Sequence, residues 1–158
     1  MAPEPVMIYK DLRDQIFAAT PDKLGPSVFG HIPPVWGVVM DMGYASAVVT
    51  LVSLMDGTVS LYFGNGGGII GGGQHEKVRQ AGKALIAAAE GFRDVAKPTT
   101  SFPLPDVGRI GFYLLTVSGV LTAERDQKEL VAGKDRLLRL FLSANDVLTE
   151  LRLMEQKK

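Results

Sequence analysis

Apolar residues recur at Val6, Tyr9, Leu12, Ile16 and Phe17, with Lys10, Asp11, Arg13 and Asp14 at the polar positions between them. That spacing predicts an amphipathic helix, ended by Thr20-Pro21. Prolines at 21, 26, 33 and 34 mark a loop. Three strands then follow, over 36–44, 47–55 and 58–63. Asp56-Gly57 between the last two predicts a hairpin of type I′, which needs φ > 0 at both central residues. The stretch "AVVTLVSLM" is apolar on both faces, the pattern of a central strand covered on both sides.

The chain next predicts a long helix over 74–97, with a stripe of Val78, Ala81, Leu85, Ala88, Phe92 and Val95 and a stop at Pro98. "TTSFPLP" is a loop. Residues 109–117, "RIGFYLLTV", form another two-sided strand, which turns at Ser118-Gly119 into a short strand over 120–123. Polar residues 124–129 follow. Asp135 is the expected N-cap of a last helix reaching Gln156, with Leu137, Phe141, Leu148 and Leu151 in one stripe.

The expected architecture is therefore α+β, in the order α-β-β-β-α-β-β-α. It is a single five-stranded, mostly antiparallel sheet with helices packed on it. Residues 1–158 form one domain, with 1–5 and 155–158 frayed. There is no internal repeat and no linker. This element order, over nearly the whole chain, resembles that of class I type III secretion chaperones, small homodimers that bind an extended segment of a partner. It is also similar, less closely, to the roadblock/LC7 domain, another dimerising α+β module. The resemblance implies self-association and protein binding, although such chaperones tend to be acidic and this chain is neutral.

Composition narrows the chemistry. With 46% hydrophobic and 22% charged residues the chain has an ordinary globular balance, so a packed core is expected rather than disorder. Lys plus Arg equals Asp plus Glu at 17 each, which removes the long-range attraction expected of a nucleic-acid or membrane-surface binder. Cysteine is absent, which excludes disulfides, thiolate metal sites and cysteine nucleophiles and fits a reducing, cytoplasmic setting. The N-terminus lacks the pattern of a signal peptide, and no apolar run is long enough to span a bilayer.

Residues 64–75, "GNGGGIIGGGQH", hold seven of the chain's 18 glycines, so some backbone need must offset their entropic cost. Gly66 to Gly71 match G-x-G-x-x-G between a strand and a helix, but an antiparallel hairpin precedes them and no acidic residue ends a following parallel strand. No Gly-Lys-Ser/Thr closes a Walker loop. Two readings stay open. In one, Gly66, Gly67, Gly68, Gly71, Gly72 and Gly73 serve backbone geometry, with φ > 0 or a close backbone approach, and at least one of Ile69 and Ile70 is buried. In the other they present N–H groups at a helix start to an anion or nucleotide, and a basic residue such as Arg79 or Arg109 reaches the loop.

Other candidates are thinner. "HEKVR" resembles the zinc-protease H-E-x-x-H but has Arg79 in fifth place, and His31 stands in a proline-rich loop. Neither predicts a metal or a cofactor. No G-x-S-x-G elbow is present. Asp41, in "VVMDMGY", would be a general acid or base if buried, but the expected place for it is the wetted face of an outer strand. The long helix carries a smooth side at Ala84, Ala88 and Gly91, which would let a second copy approach closely, and the last helix leaves Leu142 and Leu153 over. The sequence thus reads as a non-enzymatic interaction or assembly module that forms a homodimer. The alternative is an anion- or nucleotide-binding module, and a hydrolase using Asp41 or His31 is the least supported.

Overall fold

The computed structural model describes residues 3–157. Among them the chain forms four α-helices and one seven-stranded sheet, every strand pair antiparallel. The helices are α1 (Met7–Ala18), α2 (Glu76–Ala89), α3 (Gln127–Val131) and α4 (Leu138–Gln156). The strands are β1 (Val35–Gly43), β2 (Val48–Leu54), β3 (Val59–Phe63), β4 (Gly68–Ile69), β5 (Lys97–Thr99), β6 (Arg109–Thr116) and β7 (Gly119–Asp126). They lie in the order β4-β3-β2-β1-β6-β7-β5.

The α+β class and the single antiparallel sheet agree with the sequence; the strand count does not. Five strands were expected, and β4 and β5 are the additions. Both are two or three residues long and lie on the two edges, so neither carries enough alternation to register as a strand. Short edge strands also leave little backbone for another chain to pair with. The long helix differs too: α2 ends at Ala89, and Glu90–Val95 continue as a 3-10 turn rather than helix up to Pro98. Glu90 explains part of this break, because its Oε1 accepts the Val35 N–H at 2.6 Å and ties the turn to the start of β1. The polar stretch after β6 is strand and short helix, since β7 runs on to Asp126 and α3 follows. Asp126 caps α3 by accepting the Glu129 N–H. Asp135 is not the N-cap of α4, a place taken by Leu137 with no side-chain cap; its carboxylate accepts the Leu137 N–H at 2.9 Å in the turn just ahead of the helix. Of the expected frayed ends, Glu155 and Gln156 belong to α4 and Met1, Ala2 and Lys158 lie outside the described residues.

The hairpin at Asp56-Gly57 forms, but not with a type I′ turn. Only Gly57 has positive φ, at +93°, and Leu54 C=O accepts the Gly57 N–H at 3.0 Å. Met55, Asp56 and Gly57 therefore make a three-residue loop whose last residue is left-handed. The Asp56 carboxylate accepts the Thr58 N–H and holds the bend.

The two-sided strands are explained by cover on both faces. One face meets α2 and α4, with Met40, Leu51, Phe112 and Leu114 against Leu85, Ile86, Leu140 and Val147. The other meets α1, the loop 19–34 and a strap over residues 100–106 that crosses back over the sheet. There Trp36, Val39, Val52 and Tyr113 pack with Leu12, Ile16, Phe17 and Phe102. A register shift between Val35 and Gly37 makes Trp36 a bulge and puts its indole in this second cluster.

Candidate functional site

The glycine segment runs along the outer side of β3 and delivers the chain to α2. Gly66, Gly67, Gly68 and Gly71 all have positive φ, from +78° to +152°. Gly68 pairs with Tyr62, and a Cβ there would sit 2.2 Å from the Leu61 carbonyl oxygen. Gly72 and Gly73 do not need positive φ. They need the space: a Cβ on Gly72 would meet Leu151 at 2.6 Å, and one on Gly73 would meet the Gly57 carbonyl oxygen at 1.8 Å. Ile69 is half-buried against the core, whereas Ile70 is 71% exposed. The backbone requirement expected of these glycines is thus met, in two different ways along the segment.

Several groups that an anion would need are occupied. Gly66 N–H donates to Phe63 C=O, Gln74 N–H to Gly71 C=O and His75 N–H to Gly72 C=O. Arg79 does reach the segment, but its Nη1 donates to the Gly73 carbonyl at 3.2 Å while its methylenes lie against Gly57. Arg109 lies elsewhere, on β6, in an ion pair with Glu124. His75 and His31 are exposed, and among the described residues no group of three His, Cys, Asp or Glu side chains could hold a metal ion.

The small-residue side of α2 divides. Ala84 and Gly91 face solvent, whereas Ala88 is half-buried against the domain's own core. Ala87, one turn from Ala84, is exposed as well. Gly82 is the glycine of α2 that close packing requires, since a Cβ there would come within 2.7 Å of Ser53 and Val59. Ser53 also donates its hydroxyl to the Gly82 carbonyl.

Asp41 is the main correction at the level of single residues. It lies on β1, the middle strand of the seven, and is fully buried rather than on a wetted face. Its Oδ2 accepts Nη2 of Arg13 at 2.7 Å, and its Oδ1 accepts the Thr50 hydroxyl at 2.6 Å. Thr50 spends its proton on Asp41, so the Tyr9 hydroxyl, 2.5 Å away, donates to Thr50. Arg13 gives Nη1 to the Phe102 carbonyl at 2.8 Å and lies over the rings of Phe17 and Tyr113. Burial and the Asp41 charge both push the Tyr9 hydroxyl well above its ordinary pKa, and the same two causes raise that of Tyr113. Burial works against the charge on Arg13, but the carboxylate beside it outweighs burial and holds it charged.

Arg13 occupies a position that the sequence pattern marks as polar, yet it shares the Tyr9–Ile16 side of α1 at i, i+4 spacing. That spacing, set beside one acid in an apolar strand, is the signal by which the pair could have been found. The arrangement offers little chemistry: the acid is matched by a cation, both its oxygens are bonded, and α1 and the strap exclude water. It works as a fastening.

Beside it, the strap and the sheet enclose a groove of about 540 Å³, with Gly111 and Tyr113 as floor and Ser101, Pro103 and Pro105 as wall. Tyr113 spans the two by donating its hydroxyl to the Pro103 carbonyl. No helix among the described residues is long and apolar enough to cross a membrane. No protein-family model matches the chain, and neither does any curated protein or solved structure.

Proposed function

We propose that the chain is a non-catalytic interaction module that self-associates through the two-helix layer on one face of the sheet. One observation carries this reading: α2 turns Ala84 and Ala87 to solvent, and the 3-10 turn after it exposes Gly91, whose carbonyl accepts Arg136 Nη2 at 3.0 Å. α4 runs antiparallel beside α2, the start of α2 meeting Glu150 to Lys157 and its end meeting Leu138 and Arg139. The same layer exposes Leu142 and Leu153. Small residues let a second backbone come close, and apolar neighbours supply the driving force. The buried acid supports the non-catalytic half of the proposal, because its bonding capacity is used internally. A cytoplasmic setting belongs to the same proposal and rests on the cysteine-free composition.

Light scattering coupled to gel filtration at micromolar concentration tests it. The expected mass is twice the 17.0 kDa of one chain. Ala84→Glu should return it to a single chain with an unchanged circular dichroism spectrum, by placing an unpaired charge in the interface. Ala84 is the position to use, because a glutamate at Ala88 would strike the protomer's own core. A single-chain mass for the parent protein at every concentration overturns the proposal.

The second reading, an anion at the start of α2, is favoured by Arg79 alone, whose single bond to Gly73 leaves other guanidinium donors available. It predicts that phosphate or a nucleotide raises the melting temperature in a salt-sensitive way.

A further inference from the structure

α1 is fastened differently from the helices on the opposite face. α2 and α4 bury apolar stripes, Val78, Leu85 and Ile86 in one and Leu140, Val147 and Leu151 in the other. In α1 the fully buried side chains are Tyr9 and Arg13, and both end in the polar network around Asp41 and Thr50. Leu12, Ile16 and Phe17 are half-buried, while Met7 and Ile8 face solvent at 70% and 63% exposure.

The strongest lateral ties of α1 run to the strap. Phe17 stacks on Phe102 at 4.1 Å between ring centroids and 5° between planes, and Arg13 donates to the Phe102 carbonyl. Helix and strap therefore hold each other. Together they hold the sheet through Asp41, with lesser ties from Val6 N–H to Gly64 C=O and from the Tyr113 hydroxyl to Pro103 C=O. The charged and titratable groups that face Asp41 are Arg13 and Tyr9 from α1 and Tyr113 from β6; β2 contributes the Thr50 hydroxyl and the strap the Phe102 carbonyl, by way of Arg13. Among the described residues the fastening thus has one anion and one cation, and neither has a second partner of opposite charge. Parting Arg13 from Asp41 leaves a buried charge unpaired until water enters.

We propose that α1 and residues 100–106 form a cover that opens as a unit, ahead of the rest of the domain, with the Arg13–Asp41 ion pair as its catch. The opened form presents the apolar sheet face that includes Val39, Val52 and Tyr62. The proposal stands whether or not the chain self-associates.

Hydrogen exchange followed by mass spectrometry on the full chain, in rising sub-denaturing guanidinium, tests it. The amides of residues 11–18 should exchange through an opening of lower free energy and weaker denaturant dependence than those of β1, β2 and β6. Asp41→Asn should cut the protection of α1 by roughly ten- to a hundredfold, the loss of a charge-assisted hydrogen bond, with α1 still opening at lower free energy and weaker denaturant dependence than the central strands. If that variant does not fold, Tyr9→Phe removes only the hydroxyl donated to Thr50 and should lower protection in α1. Exchange of α1 together with the central strands in the parent protein would overturn the proposal. So would protection of α1 left unchanged in the variant.

Discussion

Gly73→Ala asks most of the structure for the smallest chemical change. The added methyl would lie 1.8 Å from the Gly57 carbonyl oxygen, 2.9 Å from the Gly57 carbonyl carbon and 3.3 Å from the Val59 nitrogen. These are backbone atoms of the β2–β3 hairpin, so no side chain can rotate away. The segment must move off the hairpin by more than 1 Å to reach ordinary contact, which is about the cost of overpacking a core, 1–3 kcal/mol. That shift also draws the Gly73 carbonyl from Arg79, a bond to a charged group worth about 1.5–3 kcal/mol. Reduced freedom of the unfolded chain returns up to about 1 kcal/mol. The net expectation is a loss of roughly 1.5–5 kcal/mol. Gly67→Ala is the internal comparison: its φ is +82° but nothing lies within 4 Å of the new methyl. Only the left-handed backbone penalty applies there, about 1–2 kcal/mol. Urea unfolding followed by the fluorescence of Trp36, the single and buried tryptophan, measures both. Gly73→Ala within 0.5 kcal/mol of the parent, on the order of a neutral surface substitution, would refute the backbone account of the segment. If such a variant also lost a phosphate-induced rise in melting temperature, the anion reading would take its place.

Two further outcomes follow from the buried network. Asp41→Leu alone should cost about 3–5 kcal/mol in urea unfolding, because it leaves the Arg13 guanidinium buried and unpaired, whereas Asp41→Leu with Arg13→Met should recover most of that loss; a double variant no better than the single would show that the pair is not the unit. Burial raises the pKa of Tyr9, Tyr62 and Tyr113 above the unfolded value near 10, so their contribution to stability is complete below about pH 10 and is lost as pH rises toward the folded values. Melting temperatures recorded across alkaline pH should fall, and Tyr9→Phe should make that fall shallower; an unchanged slope contradicts the placement of Tyr9.

The strands legible in the sequence were those with enough length to show their pattern. β2 and β6 read as two-sided because they have cover on both faces, and they lie inside the sheet as that pattern implies. β4 and β5 could not be read in the same way, since two or three residues beside glycines or Pro98 carry no periodicity; their existence depends on a neighbouring edge. The end of α2 at Ala89 was hidden because apolar spacing continues through Phe92 and Val95, and a 3-10 turn keeps those two side chains inward as a helix would. At the site level the glycine run announced a backbone requirement, and its positive φ angles and close approaches supply one. Asp41 was harder. A lone carboxylate in an apolar strand is solvated or paired depending on a residue 28 positions away, and Arg13 looks like one of four charged positions on α1 until its i, i+4 relation to Tyr9 is considered.

Because the chain has no cysteine, a single one can report on the proposed contact directly. Ala84→Cys places a thiol on the exposed side of α2, and Ser101→Cys places one on the strap, across the sheet. Under mild oxidation, non-reducing gels of Ala84→Cys should show a species of twice the 17.0 kDa chain mass, while Ser101→Cys stays at the mass of one chain. Equal and slight cross-linking of the two, at concentrations where light scattering also gives a single-chain mass, would contradict self-association through this face.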